Sequence, residues 1–149
     1  MNYVPLTWPV ELQQLSRWRR FFWGISFIGS NQKMRKTLFQ QMRLRTADCL
    51  ALWDGYTNEE KDISGRISQV VYSSLGWPNR FFIPQDCFGI LVWDHTGDLG
   101  TTSTLTAIES EFDLAEFPSQ EWERLLSCTF GEVVRMMVPR IQLSSSLCR

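Results

Sequence analysis

The residues that most readily suggest chemistry are a lone histidine and four scattered cysteines. His95 lies between Asp94 and Asp98, but no second histidine and no helical i, i+4 spacing of metal ligands accompanies it. The cysteines form no C-x-x-C pair, which is the spacing typical of a zinc site or a redox motif. They are Cys49, Cys87, Cys128 and Cys148. We therefore expect a locally hydrogen-bonded loop histidine, free thiols of which the first three are buried, and no metal.

Known catalytic spacings are also missing from the sequence. It has no Ser-His-Asp arrangement of the kind that hydrolases use, no glycine-rich phosphate-binding loop and no pair of carboxylates with an obvious pocket. We therefore expect a protein without enzymatic activity and without a cofactor.

Charge divides the chain into a basic and an acidic half, although the net charge of the 149 residues is −1. Residues 1–50 hold eight Lys and Arg against two acids, and residues 51–149 hold seven against fourteen, which gives about +6 and −7. Between Arg80 and Arg124 there are nine acids and no Lys or Arg. Such a field repels nucleic acid and attracts basic proteins, so we expect a basic protein partner and no nucleic acid. The alternative is a solvated acidic face that the basic half neutralises.

Length and hydropathy are those of a globular protein. With 44% hydrophobic and 13% aromatic residues, the chain can build the core of one domain with an appendage. The longest apolar run, residues 21–28, is far shorter than the about 20 residues of a membrane-spanning helix. Residues 1–13 lack the basic-then-apolar order of a signal peptide, so we expect a cytoplasmic location.

Hydrophobic spacing in the first third of the chain predicts a helical hairpin. Apolar residues at helical intervals indicate one helix near residues 8–22 and a longer one from Asn31 that ends before Asp54. Two helices of about 55 residues cannot bury both of their faces alone. We therefore expect residues 1–56 to form an appendage docked on residues 57–149.

Basic and aromatic residues alternate within the first predicted helix. Arg17, Arg19 and Arg20 lie among tryptophans and phenylalanines. Such a segment can lie on an anionic membrane surface or stack on single-stranded nucleic acid. The simpler interpretation is that the aromatic side chains pack inward while the arginines face the acidic half.

The second part of the chain opens with the clearest helix signal in the sequence. Thr57 and Glu60 match a capping box, and apolar residues on one face continue to a stop at Gly76. The following residues, 79–103, show no helical period, and we expect a long loop that lies across a helical core. A strand at 89–93 is the alternative.

Helical spacing returns after this loop. Residues 102–112 carry apolar side chains at i, i+3 and i+7, which leaves Glu109 and Glu111 at exposed positions. A short helix is predicted at residues 120–127.

A second capping box introduces the last predicted helix. Thr129 and Glu132 have the spacing of the motif, and the helix continues to about Ile141. Pro139 is expected to bend or end it, and residues 142–149 are expected to fray.

The order of these features resembles that of the acyl carrier protein superfamily. The likeness covers about residues 57–142 and is sharpest at 66–76, 107–113 and 129–137. The resemblance implies an all-α fold: a four-helix bundle with a long first loop, an acidic second helix, a short third helix and a capped fourth helix. The predicted hairpin precedes this bundle and docks on it.

The resemblance also implies where a carrier would be modified. Carriers bear 4'-phosphopantetheine on the serine of an Asp-Ser-Leu motif at the start of the second helix. Counting back from Phe112 by the family's spacing, which is about four helical turns, places Asp98 at that serine. A carboxylate cannot take the arm, although it can cap a helix. A competing alignment makes Ser103 the attachment site, at the cost of a second helix that is more than a turn too short.

Three functions therefore remain open. The first is a non-enzymatic, acyl-carrier-protein-like interaction module that lacks the carrier serine. Its acidic second helix would bind a basic partner through Asp98, Glu109, Glu111 and Asp113. The second is a functional acyl carrier protein modified with 4'-phosphopantetheine on Ser103. The third is the binder of anionic membranes or nucleic acid through the arginines of the N-terminal segment.

Overall fold

A computed structural model describes residues 3–8 and 28–147 of the chain. Every named element in these residues is a helix, which confirms the predicted all-α class. None of the described helices is both long and apolar enough to cross a membrane. The elements are α1 (Ile28–Arg43), a 3₁₀-helix (Ala47–Trp53), α2 (Asn58–Leu75), α3 (Phe88–Leu91), α4 (Asp98–Glu111), α5 (Ser119–Leu126) and α6 (Phe130–Leu147).

The fold is organised around α2, which packs against both α4 and α6. Its capping box is present as predicted: Glu60 N donates to Thr57 Oγ1 at 3.1 Å, and Thr57 N donates to Glu60 Oε2 at 2.7 Å. The helix ends at Gly76, whose φ of 67° is a left-handed conformation that glycine adopts without strain. The capping box and the glycine stop predicted for this helix are both confirmed.

The predicted long helix from Asn31 to Asp54 is wrong, because the chain turns after α1 and forms a separate 3₁₀-helix. Arg45 lies in that turn and is buried against Asp86, so its side chain leaves the polar face that a continuous helix would give it. The helix predicted near residues 8–22 lies, apart from Trp8, outside the described residues. Trp8 itself is not helical.

The segment after α2 crosses the core as predicted, but it contains a short helix. The alternative of a strand at 89–93 is wrong, since α3 occupies Phe88–Leu91 and the one β-bridge of the described residues joins Cys87 to Thr129. The helix predicted to begin at Thr102 begins four residues earlier, at Asp98.

The last two helices follow their sequence signals at the start but not at the end. α5 begins and ends within one residue of its predicted bounds. α6 runs through Pro139 to Leu147, so the expectations of an early end and a frayed tail are wrong for the described residues. Pro139 lies inside this helix and is exposed.

The ring of Phe130 brings together aromatic rings from three other segments of the described chain. The ring of Phe130 at the start of α6 lies 5.2 Å from Trp53, 6.4 Å from Phe82 and 6.3 Å from Phe88, measured between ring centroids. Trp53 belongs to the predicted appendage and donates its indole N–H to Phe82 O at 3.0 Å. The described residues before and after Thr57 therefore share a hydrophobic core.

A pair of glycine substitutions tests this packing. A Cβ on Gly89 would lie 2.4 Å from Leu126 O, a backbone atom that cannot turn aside, whereas a Cβ on Gly65 would meet open space. Gly89→Ala is expected to lower the free energy of unfolding by about 1–3 kcal/mol. Gly65→Ala, inside α2, is expected to raise it by about 0.5–1 kcal/mol. Urea denaturation of both variants measures the two changes, and opposite signs are the predicted outcome.

Candidate functional site

The start of α4 is occupied by Asp98, the residue that the resemblance to acyl carrier proteins would put in place of the carrier serine. Asp98 is the first residue of α4 and follows Gly97, whose φ is 153°. The next residue, Leu99, is 87% exposed. The structure therefore places Asp98 at a helix start, where the preferred alignment predicted it.

Asp94 stabilises the loop before α4. From the sequence, this residue was considered only as a neighbour of His95. Asp94 Oδ1 accepts from Thr96 N at 2.8 Å and from Thr96 Oγ1 at 2.7 Å, and Asp94 N donates to Thr101 Oγ1 at 3.0 Å. A Cβ on Gly100 would lie 1.8 Å from Asp94 Oδ2, so this carboxylate rests against the first turn of α4. The Asp-x-Thr spacing of residues 94–96 is typical of a turn closed by the aspartate side chain, and it was the sequence feature that could have predicted this loop.

Ser103 does not lie at a helix start. It is exposed in the second turn of α4, after Thr101 and before Thr104, both of which are buried. The free N–H groups at the beginning of a helix, which would favour a phosphodiester, belong to its first turn. Ser103 thus has an accessible hydroxyl without that electrostatic advantage.

The prediction that Glu109 is exposed is wrong. Glu109 is only 7% exposed, and its Oε1 accepts two hydrogen bonds of 2.8 Å, from Phe117 N and from the indole Nε1 of Trp122. Position 109 lies one turn after Leu105 and therefore faces inward with it. Glu109 ties the end of α4 to the following segment and to α5, and it cannot reach a partner.

Glu111 is accessible but already engaged. Arg66 of α2 donates from Nε to Glu111 Oε1 at 2.8 Å and from Nη2 to Glu111 O at 2.6 Å, and its guanidinium lies 4.3 Å from the centroid of the Phe112 ring. Asp113 is exposed, with a φ of 52°. Other exposed positions of α4 carry hydroxyls: Thr102, Ser103, Thr106 and Ser110.

The acid-rich stretch between Arg80 and Arg124 is partly neutralised by arginines from outside it. Asp86 pairs with Arg45, Glu111 with Arg66 and Glu121 with Arg140. Both arginine–glutamate pairs lie within the acidic half, and among the described residues the Asp86 pair alone links the two halves. This internal pairing removes three carboxylates from the surface charge available to a partner.

Two exposed acidic residues without an ion pair among the described residues contact the end of α6, and a third lies one turn along α2 from the first. Gln142 Nε2 of α6 lies 3.2 Å from both carboxylate oxygens of Glu59, and Ser144 Oγ donates to Asp113 O at 2.8 Å. Asp62 follows Glu59 at i+3 and shares its side of α2. Leu143, between the two α6 contacts, is 64% exposed. We call Glu59, Asp62, Asp113 and Leu143 the acidic surface.

His95 has a distant hydrogen-bond partner, and the prediction of a purely local bond is wrong. Arg35 Nη1 of α1 lies 2.7 Å from each ring nitrogen, and Arg35 Nη2 donates to Leu75 O at 3.2 Å. Burial and the Arg35 guanidinium lower the pKa of His95, and Asp94, 3.6 Å from Nδ1, offsets them in part. This cluster closes a hollow between α1, the end of α2 and the loop before α4.

The lowered pKa of His95 gives a pH dependence with a defined sign. The unfolded chain takes up the imidazole proton near pH 6.5, while the folded protein takes it up only at lower pH. The stability that neutral His95 contributes is complete above about pH 6.5 and is lost as the pH falls below that value. Urea denaturation across this range should show the loss in the wild type. His95→Gln should flatten it, since the chain has a single histidine.

The cysteines have no catalytic arrangement in the part of the chain that the structure describes. Cys49 is buried, and burial raises the pKa of its thiol, which disfavours the reactive thiolate. Cys87 and Cys128 are half-buried rather than buried as predicted. Within the described ranges no group of three or more His, Cys, Asp or Glu side chains is arranged to hold a metal ion.

Arg17, Arg19 and Arg20 lie outside the described residues. Comparisons with protein-family models, with curated proteins and with solved structures found no match to this chain. A function for this protein is therefore inferred from the chemistry and the placement of its own side chains.

Proposed function

We propose that this protein is a non-enzymatic interaction module with a helix order like that of acyl carrier proteins, in which Asp98 stands in place of the carrier serine. The observation that carries the proposal is the start of α4 at Asp98. A carrier needs a hydroxyl at this point of the second helix, and this chain supplies a carboxylic acid.

The lengths and order of the helices support the same proposal. α4 has 14 residues, which is about four turns and matches the spacing between the motif and Phe112. The short α5 follows, and α6 opens with a capping box in which Thr129 N donates to Glu132 Oε2 at 2.8 Å. Both α4 and α6 pack on α2, as the second and fourth helices of a bundle would.

The partner in this proposal is a basic, amphipathic protein segment that binds the acidic surface. Glu109 takes no part because it is buried, and Glu111 is held by Arg66. Exposed ion pairs contribute only about 0–1 kcal/mol each, so carboxylates alone bind weakly. Leu143 supplies an apolar contact worth about 1.5–3 kcal/mol when fully covered. The charges orient the partner, and the leucine adds affinity.

The absence of carrier activity is tested by intact mass. After incubation with coenzyme A and a broad-specificity phosphopantetheinyl transferase, the wild-type mass is expected to stay unchanged, since Asp98 offers no nucleophilic hydroxyl. A gain of one phosphopantetheine in the wild type that disappears in Ser103→Ala would replace the proposal with a functional carrier. An authentic acyl carrier protein in the same reaction shows that the transferase is active.

The acidic surface is tested with a synthetic helical peptide that carries Lys and Leu at amphipathic spacing. We expect the peptide to bind at low salt and to bind about tenfold more weakly to the Glu59→Lys/Asp62→Lys variant, which corresponds to about 1.4 kcal/mol. Glu116→Lys/Glu123→Lys is the matched control, because it changes the net charge by the same amount and neither glutamate forms an ion pair among the described residues. Equal losses in both variants would show unspecific attraction and would contradict the proposal.

A further inference from the structure

We propose that the basic partner of the acidic surface is a second copy of this chain, which binds through α1. This inference rests on the proposed function, because it names the segment that the acidic surface receives. The segment consists of Lys33, Lys36, Arg43 and Leu44, which we call the basic surface.

The basic surface is one stripe along α1. Lys33, Lys36 and Arg43 follow one another at i, i+3 and i+10, which keeps them on one side of the helix over about 15 Å. All three are exposed, and none forms an ion pair among the described residues. The helix contains no acidic residue. Leu44, directly after α1, is 80% exposed.

The two surfaces match in composition. Each has three charged side chains free of ion pairs within the described ranges, and each has one strongly exposed leucine, Leu143 or Leu44. The charges are opposite, so contact between copies would pair them and cover both leucines. Burying the leucines supplies the apolar gain that exposed ion pairs alone lack.

Lys33 and Lys36 of the basic surface flank Arg35, which contacts the C-terminal end of α2 at Leu75 O, whereas Glu59 of the acidic surface lies at the start of that helix. These α2 positions are about 24 Å apart along the helix. The contact is therefore head-to-tail between molecules, and it leaves a free surface at each end of a pair. Association should grow with concentration rather than stop at a dimer.

Other occupants of the basic surface fit the structure less well. A nucleic acid would pair with the cations but would leave Leu44 uncovered, and the acidic half of the chain would repel it. An anionic membrane would need an apolar helix face to insert, but Leu38 and Met42 of α1 are buried in the core. An acidic protein surface that also offers an apolar side chain satisfies both features.

The test is a charge exchange followed by sedimentation velocity. At about 0.01 M salt, where the Debye length is about 30 Å, the wild-type sedimentation coefficient should rise with concentration, and at about 1 M salt it should not. Lys33→Glu/Lys36→Glu/Arg43→Glu and Glu59→Lys/Asp62→Lys should each abolish the rise. An equimolar mixture of the two variants should restore it, because each basic surface again meets an acidic one. Circular dichroism confirms that both variants are folded.

The outcomes separate this inference from the proposed function. A wild type that stays monomeric at low salt but binds the basic peptide at the acidic surface overturns self-association and leaves the proposed function standing. Association that neither variant weakens, or that the mixture fails to restore, overturns the inference as well. If the wild type neither associates nor binds the peptide, both proposals are overturned. Binding of a DNA duplex or of phosphatidylserine vesicles in place of self-association assigns α1 to that anion and overturns the inference.

Discussion

Asp86→Asn is expected to lower the free energy of unfolding by about 3–5 kcal/mol, the largest effect that we predict for a single substitution. Asp86 and Arg45 form a pair with two contacts, 2.6 Å from Nη1 to Oδ2 and 2.7 Å from Nη2 to Oδ1. Their side chains are 0% and 3% exposed. Asparagine removes the anion and leaves a buried guanidinium whose charge nothing balances.

The pair also holds three separate segments together. Asp86 Oδ1 accepts from Leu6 N and Oδ2 from Ile83 N, both at 2.8 Å. Arg45 donates to Val4 O at 2.9 Å and to Phe81 O at 3.1 Å. The N-terminal segment, the turn after α1 and the segment before α3 therefore depend on the same two side chains. Removing one member of such a fully hydrogen-bonded buried pair destabilises the fold strongly, because the other member stays buried without its partner.

Equilibrium denaturation in urea measures the loss, and the exposed pair of Arg66 and Glu111 supplies the control. Glu111→Gln is expected to cost at most about 1 kcal/mol, because both side chains of that pair are about 40% exposed and solvent replaces the contact. An Asp86→Asn variant as stable as Glu111→Gln would contradict the role that we assign to the buried pair.

Glu109→Leu is expected to lower the free energy of unfolding by about 2–5 kcal/mol. Leucine fits a buried position but accepts no hydrogen bond, so Phe117 N and the indole of Trp122 lose their shared acceptor. A buried donor without a partner costs about 1–3 kcal/mol. The free-energy cost of the two unpaired donors together exceeds the gain from the additional buried apolar surface.

Glu109→Gln is the matched variant for this prediction. Its amide oxygen can accept from the same two donors, so most of the wild-type stability should remain. Thermal and urea denaturation of both variants distinguish the contribution of the hydrogen-bond acceptor to the free energy of unfolding from that of the negative charge. Equal stability of Glu109→Leu and the wild type would contradict a structural role, and it would return Glu109 to the residues available for a partner.

Local signals in the sequence predicted the parts of the fold that depend on neighbouring residues. Both capping boxes and the left-handed stop at Gly76 are formed by residues within a few positions of each other, and the structure contains all three. The family's spacing, counted back from Phe112, leads to Asp98, where α4 starts, whereas the apolar pattern leads to a start one turn later.

The errors concern side chains whose partners are far away in the chain. Arg45 meets Asp86 across 41 positions, and Arg35 meets His95 across 60, so no local pattern reveals either contact. Glu109 is different, because its spacing from Leu105 and Phe112 already placed it on the buried face. Its charge suggested exposure, and the two donors that satisfy it come from residues after α4.

The most direct test of the central claim maps where a basic amphipathic peptide binds. In an NMR titration of the ¹⁵N-labelled protein at about 0.01 M salt, where charges are weakly screened, we predict that the amides of Glu59, Asp62, Asp113 and Leu143 shift most. Saturable shifts at these positions would establish the acidic surface as a docking site. An absence of shifts, or shifts confined to α1 and the His95 hollow, would contradict the account.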